Sequence, residues 1–170
     1  MIKNIIIVAL IVAGSISIIQ AQTRHSFKCK LCGTWVLLER IDRNANGDVV
    51  SEPTLGQDPI GILIYDRAGN MSVQIMKRNR NSTVANESQI SSNSNNVGAA
   101  NGYVAYFGKY KIDFKQHTVT HLLEGSISDA DVGKSVTRNF IFKGNELWLS
   151  FETINGSTAV KRTLRWRHVE

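Results

Sequence analysis

Residues 103–127 read YVAYFGKYKIDFKQHTVTHLLEGSI, and this stretch contains the alternation that decides the fold class. In its first half, Val104, Tyr106, Gly108 and Tyr110 occupy every second position, and in its second half Val119, His121 and Leu123 do the same. A period of two is typical of β-strands, because successive side chains of a strand point to opposite faces. The four residues Phe114-Lys-Gln-His117 between the halves favour a tight turn. The stretch therefore predicts an antiparallel β-hairpin.

The same alternation recurs from Gly33 to the end of the chain. It predicts eight strands, at Thr34–Ile41, Ile60–Asp66, Asn70–Met76, Tyr103–Asp113, Thr118–Ile127, Lys134–Phe142, Glu146–Thr153 and Thr158–His168. Turn-forming residues separate several of them, including an Asn-Gly pair at 155–156 that favours a two-residue hairpin turn. Eight antiparallel strands form either a sandwich or an up-and-down barrel. The alternation does not choose between these two architectures.

The first 21 residues have the layout of a secretory signal peptide. Lys3 supplies the positive charge, residues 5–13 form an apolar run, and Ala21 is a suitable cleavage position. An uncleaved membrane anchor is the alternative, although Gly14 and Ser15 interrupt an apolar run that is short for a bilayer span. We expect a periplasmic or secreted protein with no integral membrane span after cleavage. Residues 22–32 would then be an N-terminal lead, and residues 33–170 would form a single β-domain.

Cys29 and Cys32 form a Cys-x-x-Cys pair in this lead segment. In an exported chain a short-loop disulfide is the expected state of such a pair. A redox motif would place the pair at the start of a helix, and here a predicted strand follows. A zinc site would require two further ligands at matching spacing. We expect a structural disulfide, with the redox and zinc interpretations left open.

The formal net charge of +6 is mild for 170 residues. No dense Lys/Arg run occurs, and the richest basic stretch, Lys161–Arg167, alternates with Thr and Leu as a solvated strand face does. We therefore expect no nucleic-acid partner. The sequence leaves the oligomeric state undetermined.

A long polar segment, residues 77–101, separates the third and fourth predicted strands and is rich in Asn and Ser. It is longer than an ordinary connection. It forms either a flexible surface loop or a loop with a short helix near residues 84–90. In a barrel, it would lie at one rim, where it would act as a lid or have no role.

Residues 42–48, Asp-Arg-Asn-Ala-Asn-Gly-Asp, resemble the start of an EF-hand calcium loop. Position twelve of the loop is Pro53 instead of the bidentate Glu, and no helical pattern flanks it. The competing interpretation is a hairpin turn at Asn46-Gly47. No Gly-x-Ser-x-Gly, phosphate-binding glycine loop or His-Glu-x-x-His motif occurs, so we expect neither a cofactor nor a metal.

Some polar residues lie on otherwise apolar strand faces. His121 shares a face with Val119 and Leu123, and Arg138 shares one with Val136 and Phe140. A buried Arg requires a partner. It would pair with Glu124 or another carboxylate, or with an anionic group of a ligand. If these faces point inward, the polar groups that would orient a ligand are Gln74, Tyr106, His121 and Arg138.

Several motifs resemble a known family. Gly33-Thr-Trp35 resembles the Gly-x-Trp start of lipocalins, and Arg165-Trp-Arg167 resembles their last-strand Arg that packs over that Trp. Six short motifs, in their order along the chain, are together similar to the bacterial and fungal lipocalin-like domain family. They are Gly33–Trp35, Asp58–Tyr65, Gly69–Gln74, Ala105–Tyr110, Val119–His121 and Arg162–Trp166. The resemblance implies an all-β, eight-stranded antiparallel up-and-down barrel instead of a sandwich. It also implies binding of a small hydrophobic molecule.

Three functions follow from this resemblance. The first is ligand binding in the barrel, for which the candidate residues are Trp35, Tyr65, Gln74, Met76, Tyr106, Tyr110, His121 and Arg138. The second is an isomerase or cyclase, with His121 or Glu124 as general base and Tyr106 or Arg138 stabilising the developing charge. The third is a structural or partner-binding domain whose barrel is filled by its own side chains.

Overall fold

The computed structural model describes residues 30–79, 102–155 and 157–169. Within these ranges the chain forms nine β-strands and a short 3₁₀ turn, Asp129–Asp131. The strands are β1 (Gly33–Arg43), β2 (Val49–Val50), β3 (Ile60–Tyr65), β4 (Asn70–Met76), β5 (Tyr103–Asp113), β6 (Thr118–Ser126), β7 (Ser135–Lys143), β8 (Glu146–Asn155) and β9 (Thr158–His168). The barrel is the compact unit Cys32–Glu170.

Eight of these strands form a closed antiparallel barrel in the order β1, β3, β4, β5, β6, β7, β8, β9. The seam is the pairing of β1 with β9, which runs from Trp35 opposite His168 to Arg43 opposite Lys161. The short strand β2 pairs with the end of β1 outside the ring. Closure leaves no long strand edge exposed, which removes the main aggregation hazard of a β-sheet.

All eight predicted strands are confirmed, three of them with unchanged bounds: Asn70–Met76, Tyr103–Asp113 and Thr158–His168. The additional strand β2 has only two residues, which is too short for an alternation to reveal. The barrel implied by the family resemblance is confirmed, because β1 and β9 are hydrogen-bonded to each other.

The interior contains the alternating apolar side chains. Typical inward residues are Leu63 on β3, Val73 on β4, Leu149 on β8 and Trp166 on β9, all at most 3% exposed. In β1 a register shift between Leu37 and Glu39 interrupts the alternation. Such a bulge changes which residues face inward, so that Arg40 and Asp42 are buried in the second half of this strand.

The two ends of the barrel differ in their connections. One end, which we name the hairpin rim, has the tight turns at residues 66–69, 114–117 and 144–145. The opposite end, the loop rim, has the longer connections 44–59, 77–102 and 127–134.

Three predictions concern residues outside the described ranges. They are the signal peptide at 1–21, the disulfide partner Cys29, and the segment 80–101 with its helix near 84–90. These stay predictions. The described start of the polar segment, residues 77–79, is exposed.

Candidate ligand-binding site

Four polar side chains meet inside the barrel, and we name them the His121 cluster: Tyr65, Tyr106, His121 and Arg138. The Tyr65 hydroxyl lies 2.6 Å from Nε2 of His121, and the Tyr106 hydroxyl lies 3.3 Å from Nδ1 of the same ring. Arg138 lies close enough to Tyr106 for its charge to act on that hydroxyl. The four residues are between 1% and 6% exposed, so the cluster is withdrawn from bulk water.

The strand register brings this cluster together. His121 on β6 lies opposite Tyr110 on β5 and opposite Val136 on β7. Tyr65 at the end of β3 reaches the same region, where its ring packs against that of Tyr110 in a tilted arrangement, with the centroids 4.7 Å apart. A register shift beside Gly108 sets the pairing of β5 with β6. A Cβ atom on Gly108 would lie 2.0 Å from the backbone oxygen of Leu122, so only glycine permits this close approach.

Burial determines the protonation of the cluster. Desolvation, aided by the charge of Arg138, lowers the pKa of His121 well below 6.5, so the imidazole is neutral at pH 7. Burial raises the pKa of the Tyr65 hydroxyl, and it also raises that of Tyr106 although Arg138 acts in the opposite direction. Burial also lowers the pKa of Arg138, but a guanidinium remains protonated in proteins. The cluster therefore contains one positive charge and three neutral rings.

Arg138 has polar contacts but no carboxylate partner among the described residues. Its Nη1 donates to the backbone oxygen of Thr137 at 3.4 Å, and Tyr106 lies beside it. Its guanidinium carbon lies 3.8 Å from the centroid of the Phe151 ring, which is a cation–π contact. These interactions orient the side chain and leave its charge uncompensated by any anion in the described part of the chain.

A second buried group, the Asp42 cluster, consists of Arg40, Asp42, Glu52 and Arg162. Arg162 binds Asp42 through two hydrogen bonds, Nε to Oδ1 at 2.8 Å and Nη2 to Oδ2 at 2.7 Å. Arg40 binds Glu52 at 2.5 Å and lies 3.9 Å from Asp42. Each guanidinium here has a carboxylate of its own, in contrast to Arg138.

Residues 51–59, which we name the strap, connect β2 to β3 at the loop rim. The Glu52 carboxylate accepts the backbone N–H of Leu55 at 2.7 Å in addition to the bond from Arg40. Leu55 is 4% exposed, and Asn155 at the end of β8 donates to the backbone oxygen of Ser51 at 2.7 Å. Burial raises the pKa of Glu52. The charge of Arg40 and the hydrogen bond from the Leu55 N–H outweigh burial and bring this pKa below its ordinary value. Glu52 is therefore charged at neutral pH and fastens the strap.

Aromatic side chains pack together near the hairpin rim. Trp35 contacts His168 edge to face at 4.8 Å and lies 6.2 Å from Phe142. Phe140 continues the series at 5.9 Å from Phe142 and 6.0 Å from His117. These rings therefore form a continuous aromatic series near the hairpin rim.

Six of the predicted ligand-binding residues are buried and inward: Trp35, Tyr65, Tyr106, Tyr110, His121 and Arg138. Two predictions were wrong. Gln74 is exposed on the outer face of β4, where it accepts a hydrogen bond from Tyr103, and Met76 shares that face. The reason is that the opposite set on β4, Met71 with Val73 and Ile75, is the one that is buried.

The proposed role of Glu124 as base, or as partner of Arg138, was also wrong. In the pairing of β6 with β5, Leu123 lies opposite Gly108 and Gly125 lies opposite Phe107. Glu124, between them, is therefore the extra residue of a β-bulge in β6. Its side chain is exposed.

The sequence reasoning missed the Asp42 cluster. Arg162 could have been found, because it alternates with Val160, Leu164 and Trp166 on β9. Arg40 and Asp42 could not, because the bulge in β1 moves them onto the inner face only in the folded strand.

The calcium interpretation of residues 42–48 is not supported. Asp42 points inward to Arg162, and the Asn44 side-chain oxygen accepts the backbone N–H groups of Asn46 and Asp48. These contacts form the β1–β2 hairpin turn at Asn46-Gly47, with Gly47 at φ 89°. No group of three metal-ligating side chains occurs within the described ranges.

Cys32 lies near the hairpin rim, where its sulfur is 3.6 Å from the Tyr110 hydroxyl and 3.8 Å from the Asp66 oxygen. The Tyr110 hydroxyl donates to the same Asp66 oxygen at 2.7 Å, which fixes the ring against Tyr65. The disulfide with Cys29 stays a prediction.

With this geometry established, comparison with known proteins identifies the family. A family model described as the lipocalin-like domain matches residues 32–169. The chain belongs to the lipocalin-like domain family. No curated protein and no solved structure matched it. Among the described residues of this lipocalin-like protein, no helix is long and apolar enough to cross a membrane.

One family-derived expectation differs in this lipocalin-like domain. The residue that packs edge-on against the Trp35 ring is His168, directly opposite it across the seam. Arg165 lies instead over Trp148, at 4.9 Å from the ring centroid, and pairs with Glu146 and Glu39.

Proposed function

We propose that this lipocalin-like barrel binds one small, largely apolar molecule whose polar end lies against the His121 cluster. The observation that supports this most directly is Arg138, a buried guanidinium with no carboxylate partner among the described residues. A buried charge without a counter-charge is costly. A ligand group that accepts hydrogen bonds from Arg138 would offset this cost.

The surroundings of the cluster fit an apolar ligand. Aromatic and aliphatic side chains dominate the inner faces next to it, among them Tyr110, Phe151 and Leu149. Small-molecule sites in proteins are mostly apolar, with a few polar groups that fix orientation. An eight-stranded barrel has an interior suited to one small ligand.

Native mass spectrometry of the protein purified from its own host tests this proposal. We expect a mass above that of the polypeptide, which disappears on denaturation. The Arg138→Met variant should lose this mass, whereas the matched outward variant Arg167→Met should keep it. Polypeptide mass alone in all three samples would support the third hypothesis, a barrel filled by its own side chains.

We also propose, as a second candidate, proton transfer on a bound substrate by an isomerase or cyclase. The short contact between Tyr65 and the neutral His121 favours it, because a general base must be unprotonated and oriented. In this scheme His121 accepts a proton and Arg138 stabilises the developing negative charge. The host-derived ligand, once identified, should exchange a C–H hydrogen in D₂O with wild-type protein and not with His121→Gln. Absence of exchange would contradict catalysis and leave binding intact.

Export is a further part of the proposal, and it rests on the pattern of residues 1–21. N-terminal sequencing of protein from the host should begin at Gln22. The intact mass should be lower than that of the reduced chain by two hydrogen atoms if Cys29 and Cys32 are joined. A sequence that begins at Met1 would contradict cleavage.

A further inference from the structure

We infer that the polar group held by the His121 cluster is a single carboxylate, bound jointly by the Arg138 guanidinium and a hydroxyl of Tyr65 or Tyr106. This inference rests on the proposed binding function and adds the chemical class of the ligand. Its basis is the balance of charge and of hydrogen-bond donors within the barrel.

The charge balance of the interior is the first argument. Three buried guanidinium groups, Arg40, Arg138 and Arg162, are accompanied by two carboxylates, the buried Asp42 and the partly buried Glu52; the other buried carboxylate among the described residues, Asp131, pairs with Lys134 instead. Both carboxylates lie in the Asp42 cluster. One positive charge therefore remains, and it is located on Arg138. A monoanion would neutralise it, whereas a dianion would leave an excess negative charge in a low-dielectric interior.

The donors of the three rings are the second argument. A neutral imidazole has one N–H, and each phenol has one O–H. The two contacts of His121 use two of these three protons, since one ring nitrogen donates and the other accepts. One phenolic O–H therefore remains, on Tyr106 in one tautomer and on Tyr65 in the other. No described residue other than His121 accepts from either hydroxyl.

The packing of Arg138 is the third argument. A guanidinium carbon 3.8 Å from the Phe151 ring centroid packs against the ring face, which leaves the N–H groups at its edge available. The backbone oxygen of Thr137 accepts from one of them. A planar fork of N–H donors matches the two oxygens of a carboxylate. The spare hydroxyl next to Arg138 supplies a further donor to the same group.

These features disfavour the other head groups. A protonated amine would be repelled by the charge of Arg138, and no carboxylate among the described residues lies there to bind it. An alcohol would leave the guanidinium uncompensated. A phosphate monoester carries nearly two negative charges at neutral pH and would overcompensate the single charge.

Isothermal titration with four matched probes tests the inference: decanoate, decyl phosphate, 1-decanol and decylamine, at pH 7.5. We expect decanoate to bind tightest, by roughly ten- to a hundredfold over decanol, the range for hydrogen bonds to charged groups. Decyl phosphate should bind more weakly than decanoate. Comparable affinity for decanoate and decyl phosphate, or for decanoate and decanol, would overturn the carboxylate assignment while leaving the binding function intact.

Variants locate the contact. Arg138→Met should reduce decanoate affinity to that of decanol, and the doubly substituted Tyr65→Phe, Tyr106→Phe protein should weaken decanoate about tenfold with decanol unchanged. Arg167→Met, an exposed charge on β9, should leave all four affinities unchanged. Near-ultraviolet circular dichroism of each variant verifies folding. Unchanged decanoate affinity in folded Arg138→Met would contradict the inference.

Carbon-13 NMR of carboxyl-labelled decanoate supplies an independent readout on the wild-type protein. In the complex the carboxyl should titrate at a lower pH than in free decanoate, because the guanidinium favours the ionised form. An unshifted or raised titration would contradict the contact with Arg138. Binding of none of the four probes would instead contradict the proposed function itself.

Discussion

Two buried arginines of this barrel have opposite surroundings, and their different partners have opposite consequences for stability. Arg162 has a bidentate bond to the buried Asp42, whereas Arg138 has a ring face, a hydroxyl and a backbone oxygen. Removing one partner of a buried ion pair leaves an uncompensated charge, but removing a solitary buried charge relieves its desolvation cost. The same chemical substitution should therefore act in opposite directions at the two positions.

We expect Arg138→Met to raise the free energy of unfolding by about 1–2 kcal/mol and Arg162→Met to lower it by about 3 kcal/mol. The signs differ because only Arg162→Met leaves a buried carboxylate, that of Asp42, without its partner. Urea denaturation of both variants at pH 7.5 measures this. Destabilisation by both substitutions, in equal measure, would contradict the view that Arg138 is uncompensated in the ligand-free protein.

His121 should make stability depend on pH. Its pKa is well below 6.5 in the folded state and ordinary in the unfolded state, so the unfolded chain binds an extra proton as the pH falls through 6.5. The free energy of unfolding should then decrease on acidification below 6.5, with a slope of at most about 1.4 kcal/mol per pH unit from this residue. Thermal denaturation between pH 7.5 and 5.5 measures it.

The control for this prediction is a second histidine. His121→Gln should remove the slope, whereas His117→Asn, at an exposed turn, should retain it. A slope unchanged in His121→Gln would show that other groups cause the dependence.

At the scale of elements, Glu52 makes the charged contact that holds the strap to the barrel. Glu52 accepts from Arg40 and from the Leu55 amide, and Leu55 itself is buried. Loss of the carboxylate charge should release this segment while the barrel strands stay paired.

We expect Glu52→Gln to speed hydrogen exchange at the Thr54 and Leu55 amides by about ten- to a hundredfold, since hydrogen bonds to charged groups contribute about 1.5–3 kcal/mol. Exchange of β5 and β6 amides should be unchanged. Asp58→Asn, which breaks an exposed pair with Arg78 in the same segment, is the matched control and should have little effect. Equal rates of hydrogen exchange at the Thr54 and Leu55 amides in the two variants would contradict the role of Glu52 in holding the strap.

At the scale of the whole molecule, closure through β1 and β9 makes the barrel a single cooperative unit. Every barrel strand has two hydrogen-bonded neighbours, so none frays as an edge strand does. The β1–β9 seam also contains the central ion pair of the Asp42 cluster, because Asp42 on β1 lies directly opposite Arg162 on β9. The seam and the interior ion pair therefore support each other.

We expect amides of the seam to exchange only through global unfolding. Native-state hydrogen exchange should give Leu164 and Trp166 protection factors within about tenfold of those of Val119 and His121 on β6, which corresponds to a free-energy difference of about 1.4 kcal/mol or less. Protection of the seam that is a thousandfold weaker would indicate a barrel that opens between its first and last strands.

The sequence by itself determined the strands, their hairpin turns and most of the residues that face the barrel interior. A period of two is a local property of the chain, because adjacent side chains alternate between faces whatever the strand pairs with. This is why His121, Arg138 and Tyr106 were correctly placed on an inner face. The choice between barrel and sandwich required the family resemblance, since both architectures use the same alternation.

The tertiary structure alone decided which residues meet. Bulges in β1 and β6 turn Arg40 and Asp42 inward and Glu124 outward, and a bulge depends on the pairing partner instead of on local sequence. On β4 the sequence offered two plausible faces, and burial in the closed barrel selected Val73 over Gln74. That Arg138 has no carboxylate partner among the residues that the structure describes is likewise a property of the assembled interior, because whether a buried charge has a counter-charge depends on strands that are far apart in the chain.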